Sequence, residues 1–158
     1  LRAADEAYEG AMRGAGRLLA VRARSRGELR ERLAAAGHAR PVVERVLARV
    51  EALGLVDDRA FARQWVTERG RRGLSRAALV RELVAKGVDR DVAEAAADAG
   101  VDDDQRAADL AARRLARMGH LPLRTQAARL HGALLRRGFS EEVAEATVRS
   151  VLPPDGWD

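Results

Sequence analysis

Apolar positions fall along this chain at helical spacing, and polar residues fill the places between them. Ala, Leu, Arg and Glu occupy almost every window, while alternating β-branched runs bounded by turns do not occur. Glycines punctuate the pattern. Gly37, Gly54, Gly73, Gly87, Gly119 and Gly138 each follow a helix-patterned stretch, where a left-handed C-cap favours glycine. Ser25 with Glu28 has the spacing of a capping box, Ser75, Asp57, Asp89 and Ser140 stand at N-cap positions, and Pro41 falls in a first helical turn. The pattern predicts an all-α protein with helices at 11–24, 26–36, 41–53, 58–72, 76–86, 90–99, 103–118, 124–137 and 141–151.

The pattern also repeats at a period of about fifty residues. SRGELRERLAAAG at 25–37 returns as SRAALVRELVAKG at 75–87, with Leu29 matching Leu79, Leu33 matching Leu83, and the closing glycine in register. Leu130, Leu134 and Gly138 take the same places in a third copy. Val42, Val92 and Val143 follow the three glycines at one fixed spacing, and Glu44, Glu94 and Glu145 at another. Similar helix compositions would account for the residue types, but not for caps, glycines and valines that hold register. The expected division is an N-terminal tail at 1–10, three-helix repeats at 11–54, 55–100 and 101–152, and a C-terminal tail at 153–158, with Pro153, Pro154 and Gly156 ending the last helix. Units this small gain stability by stacking on their neighbours.

Composition removes several function classes. Among 158 residues there is no cysteine, so disulfides, thiolate metal sites and a cysteine nucleophile are excluded. His38, His120 and His131 lie too far apart to suggest a ligand cluster. His131 matches the place of Arg30 in the repeat and is read as solvated. No apolar run approaches the roughly 18 residues of a membrane span, and Leu1 to Gly10 does not read as a signal peptide; a soluble, cytoplasmic protein is expected. Phosphate-binding glycine loops and Ser/His/Asp arrangements are missing. The Asp102–Asp104 run reads as a helix start rather than a cation site. No catalytic residue, metal ligand or cofactor is assigned. Phe61 and Trp65, four apart on one helix face, are read as core rather than as a base-stacking platform.

Charge adds the one positive signal. Of 29 basic residues all but Lys86 are arginine, whose planar fork grips carboxylates and phosphates bidentately. Residues 59–90 hold nine basic and three acidic side chains, and 106–138 hold eight arginines and one aspartate, so the overall charge of +5 conceals two strongly basic segments. Helix dipoles explain Arg71, Arg72, Arg136 and Arg137 at helix ends, but not the whole excess. A surface for a polyanion or an acidic protein groove explains it better.

Three segments carry a resemblance. RLLAVRARSRGELRERL at 17–33, LVDDRAF at 55–61 and ERGRRGLSRAALVRELVAKGV at 68–88 resemble the RecX family of bacterial recombinase regulators, and LLRRGFSEEVAEA at 134–146 is similar too. The most specific part is the middle one: Asp57, Asp58 and Phe61, then Arg71, Arg72 and Gly73, then Arg81, Glu82, Leu83, Lys86 and Gly87. The family commonly has an aromatic-Gly-Pro where this chain has Leu74, Ser75 and Arg76. The resemblance implies three tandem three-helix units in an elongated, curved array. It also implies a protein of DNA repair, recombination and the SOS response that lies along the groove of the RecA filament and suppresses its ATP hydrolysis, strand exchange and co-protease activity. The expectation is a non-enzymatic, monomeric inhibitor of RecA that also meets single- or double-stranded DNA through its basic faces. The expected contact residues are Arg69, Arg71, Arg72, Arg76, Arg81 and Lys86 in the middle unit, with Arg113, Arg114, Arg117, Arg136 and Arg137 in the third. A stand-alone DNA-binding helical protein is the first alternative, then a scaffold for some other partner, then a small nucleotide-hydrolysing enzyme.

Overall fold

Residues 1–155 are described by a computed structural model; Gly156 and the tail through Asp158 lie outside the described residues. Among the described residues there are nine α-helices and no strand: α1 (Arg2–Val21), α2 (Arg26–Ala35), α3 (Arg40–Ala52), α4 (Asp58–Gly70), α5 (Arg76–Ala85), α6 (Arg90–Asp98), α7 (Asp103–Leu115), α8 (Leu123–Arg136) and α9 (Glu141–Val151). Each agrees with the sequence pattern to within a few residues except α1. The segment expected as an N-terminal tail is the first half of that helix. Ala3, Ala4 and Ala7 are strong helix formers and Asp5 sits in the first turn. Tyr8 and Met12 pack against the core of α1–α3, and the Arg45 guanidinium covers the Tyr8 ring at 4.5 Å. At its other end α1 stops at Val21, because the backbone must be extended by the time it reaches the Ser25 cap.

The chain forms two compact units. The first holds residues 1–63 and 83–93, the second residues 64–82 and the chain from Glu94 onward. In the first, α1, α2 and α3 pack on one another around Ala11, Ala15, Leu29, Leu33, Val43, Val46, Leu47, Val50 and Val56. In the second, α7, α8 and α9 do the same around Leu110, Leu130, Leu134, Phe139 and Val148, with the small Ala107, Ala111 and Ala144 letting the helices approach.

The residues that hold register in the sequence do the same work in each copy. Leu29, Leu33, Leu79, Leu83, Leu130 and Leu134 are all at most 1% exposed. Burying one such side chain contributes about 1.5–3 kcal/mol. Each pair runs into the same C-terminal turn. His38 N–H donates to Leu33 O at 3.2 Å, Val88 N–H to Leu83 O at 3.0 Å and Phe139 N–H to Leu134 O at 3.2 Å. Gly37, Gly87 and Gly138 supply the positive φ at 94°, 83° and 93°, which is the Schellman geometry. Gly119 is the exception among the predicted caps. After α7 the chain continues through successive i to i+3 turns, Arg117 N–H to Arg114 O and Met118 N–H to Leu115 O, and no left-handed residue is needed.

Helix starts follow the sequence closely. Ser25 and Glu28 complete a reciprocal capping box, and Ser75, Ser140, Asp57 and Asp102 accept from the N–H groups of Ala78, Val143, Ala60 and Gln105. Pro41 lies in the first turn of α3. The serine caps have a second task. Ser25 Oγ donates to Lys86 O, and the Gly27 and Gly87 backbones meet so closely that a Cβ on Gly27 would lie 2.5 Å from Gly87 Cα. The second cap repeats this: Ser75 N–H donates to Arg137 O at 3.1 Å, and a Cβ on Gly138 would fall 2.6 Å from Ser75 Oγ. Beside each contact an aspartate accepts the next N–H, Asp58 from Arg26 at 2.8 Å and Asp103 from Arg76 at 2.7 Å. The Asp102–Asp104 run thus opens α7 as expected, with Asp103 turned onto the start of α5.

Phe61 is core, 9% exposed, whereas Trp65 is half-buried and donates its indole N–H to Glu82 at 2.9 Å. His131 is not free in solvent: it is half-buried with Nε2 2.6 Å from Glu141.

Two outcomes test this frame. Gly37 and Gly87 share the left-handed conformation, but a Cβ at Gly37 meets nothing within 4 Å. Gly37→Ala is expected to cost only the conformational strain of about 1–2 kcal/mol, and Gly87→Ala at least about 1 kcal/mol more, read as midpoints of urea unfolding; equal costs contradict the close backbone contact. The second outcome concerns Glu28. Burial pushes its carboxyl up, but the Arg22 and Ser25 hydrogen bonds and the charges of Arg22 and Lys86 outweigh it and hold it below its ordinary value. A carboxylate with a depressed folded pKa stabilises the fold above the unfolded value of about 4.3 and loses that contribution as pH falls through the lower folded value. Glu28→Gln is therefore expected to lower stability by about 0.5–1 kcal/mol at neutral pH, with the gap to wild type closing on acidification below the unfolded value.

Candidate anion-binding surface

The site begins with the end of α4. After Gly70 the chain makes two tight turns, Arg72 N–H to Arg69 O at 3.1 Å and Gly73 N–H to Gly70 O at 3.0 Å. Gly73 is buried with φ 86°, and a Cβ there would stand 2.9 Å from Leu110 Cδ1. Glycine alone lets the Arg71–Arg72 turn settle on α7. On α7 itself, Leu110, Arg113 and Arg114 lie three and four apart on one face, and Arg117 follows in the turn after the helix. On α8, Arg129 and Arg136 lie seven apart, again on one face, and Arg137 follows as the C-cap. Arg137 ties the pieces together. Its guanidinium donates to Arg72 O at 3.1 Å while its own carbonyl accepts from Ser75 N–H.

These segments line an open cavity of about 930 Å³ within the second compact unit, formed by Arg69, Arg71, Arg72, Arg113, Arg114, Arg117, Arg129, Arg136, Arg137, Leu110 and Met118. No carboxylate among the described residues lines it. Among the described residues only Arg69 of the nine arginines forms an ion pair, reaching both oxygens of Glu82 at 2.7 and 3.1 Å. That hydrogen bond holds the Arg69 pKa above its ordinary value, and the Trp65 indole shares the same carboxylate.

Eight of the eleven residues expected from sequence thus meet in one place. The other three do not line the cavity. Arg76 is bound by Asp98 at 2.5 and 3.1 Å, whose hydrogen bond raises its pKa. Arg81 is exposed, with its guanidinium beside the Gly138 turn. Lys86 belongs to the first compact unit, 4.0 Å from Glu28.

Sequence reasoning missed Arg129, Leu110 and Met118 as lining residues; the seven-residue spacing of Arg129 and Arg136 was the available signal. Arg106 enters the charge excess of residues 106–138 but not the surface. Arg106 is 3% exposed, donates to Ala97 O at 3.0 Å at the end of α6, and pairs with Asp103 at 3.4 Å. It is a structural strut. Leu74, where the family commonly has an aromatic, is 8% exposed, and Ser75 beside it is fully buried as a cap. Among the described residues no group of three or more His, Asp or Glu side chains is placed to hold a metal ion, and no helix is long and apolar enough to cross a membrane.

The arrangement can hold negative charge. Guanidiniums stay protonated throughout the physiological range, and assembling them without carboxylates costs stability through repulsion. An anion in the cavity offsets that cost through charge-assisted, bidentate hydrogen bonds.

Known proteins share both the sequence and the fold. The family pattern of the first three-helix domain of RecX matches residues 11–49, and that of the second matches residues 57–96. The chain is 39% identical over 152 residues to the regulatory protein RecX of Amycolatopsis mediterranei (strain U-32), covering 94% of this chain and 86% of the relative. It is 45% identical over 142 residues to the regulatory protein RecX of Mycobacterium avium (strain 104), covering 86% and 81%. In three dimensions it is similar to the crystal structure of RecX from Lactobacillus salivarius, with a TM-score of 0.78 at 19% identity over 93% of this chain and 97% of the other.

Structural and surface arginines separate by measurement. Arg106→Ala removes the partner of Ala97 O and one of the two partners of Asp103, which keeps the Arg76 N–H, and is expected to cost about 1–3 kcal/mol. Arg113→Ala and Arg117→Ala are expected to change stability by less than about 0.5 kcal/mol, or to raise it. Comparable losses at all three positions would contradict the assignment.

Proposed function

The chain belongs to the RecX family of regulatory proteins, and from that membership we propose that it docks on filaments of the RecA recombinase, along their groove, and inhibits ATP hydrolysis, strand exchange and co-protease activity. It does so without catalysis of its own, as a cytoplasmic monomer of three tandem three-helix units at 11–54, 55–100 and 101–152. The observation that carries this reading is the cavity without carboxylates, where Arg71, Arg72, Arg113, Arg114, Arg117, Arg136 and Arg137 converge. A nucleoprotein filament presents acidic protein surface and bound DNA side by side, and a surface of this kind complements both. On a repeating lattice, several weak contacts from one chain add through effective concentration rather than through one deep pocket. Arg76, Arg81 and Lys86 flank this reading as further docking charges, with Arg76 and Lys86 already sharing carboxylates.

The same arginines support a second reading, a stand-alone DNA-binding helical-repeat protein. That reading requires tight binding without RecA, weakening with salt by about 0.7 logarithmic units per phosphate neutralised on single strands.

The test is a titration of RecA's single-stranded-DNA-dependent ATPase with this protein. Wild type is expected to inhibit below the concentration that coats the DNA. Arg113→Glu/Arg117→Glu is expected to raise the half-inhibitory concentration at least about tenfold, since one charge-assisted hydrogen bond is worth about 1.5–3 kcal/mol. A charge-matched double variant in the first compact unit, Arg32→Glu/Arg40→Glu, is expected to shift it far less. Equal inhibition by wild type and the Arg113/Arg117 variant overturns the docking surface. Strong DNA binding with no effect on a cognate RecA favours the second reading.

A further inference from the structure

The arginine-lined cavity concentrates positive charge in a small volume. Its volume of about 930 Å³ lies at the upper end of the roughly 300–1,000 Å³ of small-molecule sites. One strand of B-form nucleic acid carries one charge per about 3.4 Å. A strand passing this cavity therefore brings only a few singly charged phosphates to its guanidiniums. A polyphosphate chain concentrates its charge instead: a triphosphate carries about four negative charges on three linked phosphates at neutral pH. The lining is not uniformly charged either. Leu110 and Met118, 4% and 8% exposed, contribute an apolar portion, and a methionine thioether adapts readily to a flat ring.

We infer that this cavity binds a small, multiply phosphorylated anion of the nucleoside triphosphate class, with the phosphates among the guanidiniums of α7, α8 and the Arg71–Arg72 turn and the base against Leu110 and Met118. The inference rests on reading these arginines as an anion-binding surface and requires no contact with RecA. Arg69 gives the site a readout. A phosphate entering the cavity competes with Glu82 for the Arg69 guanidinium, and Glu82 also holds the Trp65 indole N–H at 2.9 Å. Occupancy therefore changes the polarity around Trp65.

The experiment is calorimetric titration of the purified chain alone, at about 50 mM salt so that screening stays modest, with ATP, inorganic tripolyphosphate, AMP and a short oligothymidylate. Tryptophan emission is followed in parallel in a Trp157→Phe background. ATP and tripolyphosphate are expected to bind saturably at one site and to shift the Trp65 emission, with AMP at least tenfold weaker. Arg113→Ala/Arg117→Ala is expected to weaken ATP at least tenfold, while Arg32→Ala/Arg40→Ala leaves it unchanged. Tripolyphosphate binding without ATP binding would assign the cavity to inorganic polyphosphate and overturn the nucleoside part. AMP binding as tightly as ATP, or ATP binding insensitive to Arg113 and Arg117, overturns the site. Oligothymidylate binding through the same arginines without tripolyphosphate binding assigns the cavity to nucleic acid and overturns it too. RecA is absent throughout, so failure here leaves the docking reading to the ATPase titration, and failure there leaves this site standing.

Discussion

The structure depends on a joint made twice from the same parts. The N-terminus of one helix seats on the glycine turn that ends a later one: α2 on the turn after α5, and α5 on the turn after α8. A helix start leaves N–H groups without partners and a helix end leaves carbonyls without partners. Here each end meets part of the other's need, and their opposite dipole ends face one another. Ser25 and Ser75 are fully buried because each is at once a cap and a part of the joint. Asp58 and Asp103 complete it by accepting the N–H that follows the serine. Burial pushes the Asp58 carboxyl up, while the Arg26 N–H acts in the opposite sense; the position carries an electrostatic cost in return for a fixed geometry.

The second joint also builds the proposed binding surface. Arg137 cannot donate to Arg72 O unless the turn after α8 sits against the start of α5. That single placement brings Arg71 and Arg72 into the same cavity as the arginines of α7 and α8. Repulsion among these guanidiniums opposes folding, and the well-packed Leu110, Leu130 and Leu134 beneath them supply the stability that tolerates it. Lysines would bring the same charge without the rigid fork, and would leave more conformational freedom to lose on binding.

Much of this fold was legible because its determinants are local. The leucine pairs, the glycine turns and the serine caps each depend on residues within one or two turns, and all appear at the expected numbers except the turn at Gly119. The start of α1 was not legible, because Ala-rich sequence without a capping residue gives no boundary, and the packing of Tyr8 under Arg45 depends on α3. Arg106 and Arg129 look alike in the sequence. One is a buried strut and the other lines the cavity, and only the tertiary placement of α6 and α8 distinguishes them. In the sequence Asp103 reads as a helix opener, which is half its role, and Asp58 stands only in the resemblance; their bonds to the neighbouring helix start span 27 and 32 residues. The resemblance names Asp58 without a reason, and the C-cap pattern accounts for the turn at Gly73 but not for its burial. The joint and the close approach to Leu110 supply the reason.

The central claim is that the arginine cavity of the second compact unit is the face presented to the recombinase filament. Amide hydrogen exchange of the chain, free and on RecA filaments assembled on single-stranded DNA, tests it most directly. The account predicts slowed exchange in the segments at 69–73, 110–118 and 129–138, with smaller changes in α1 to α3. Slowed exchange confined to residues 1–63, with the arginine segments exchanging as in the free chain, would contradict it.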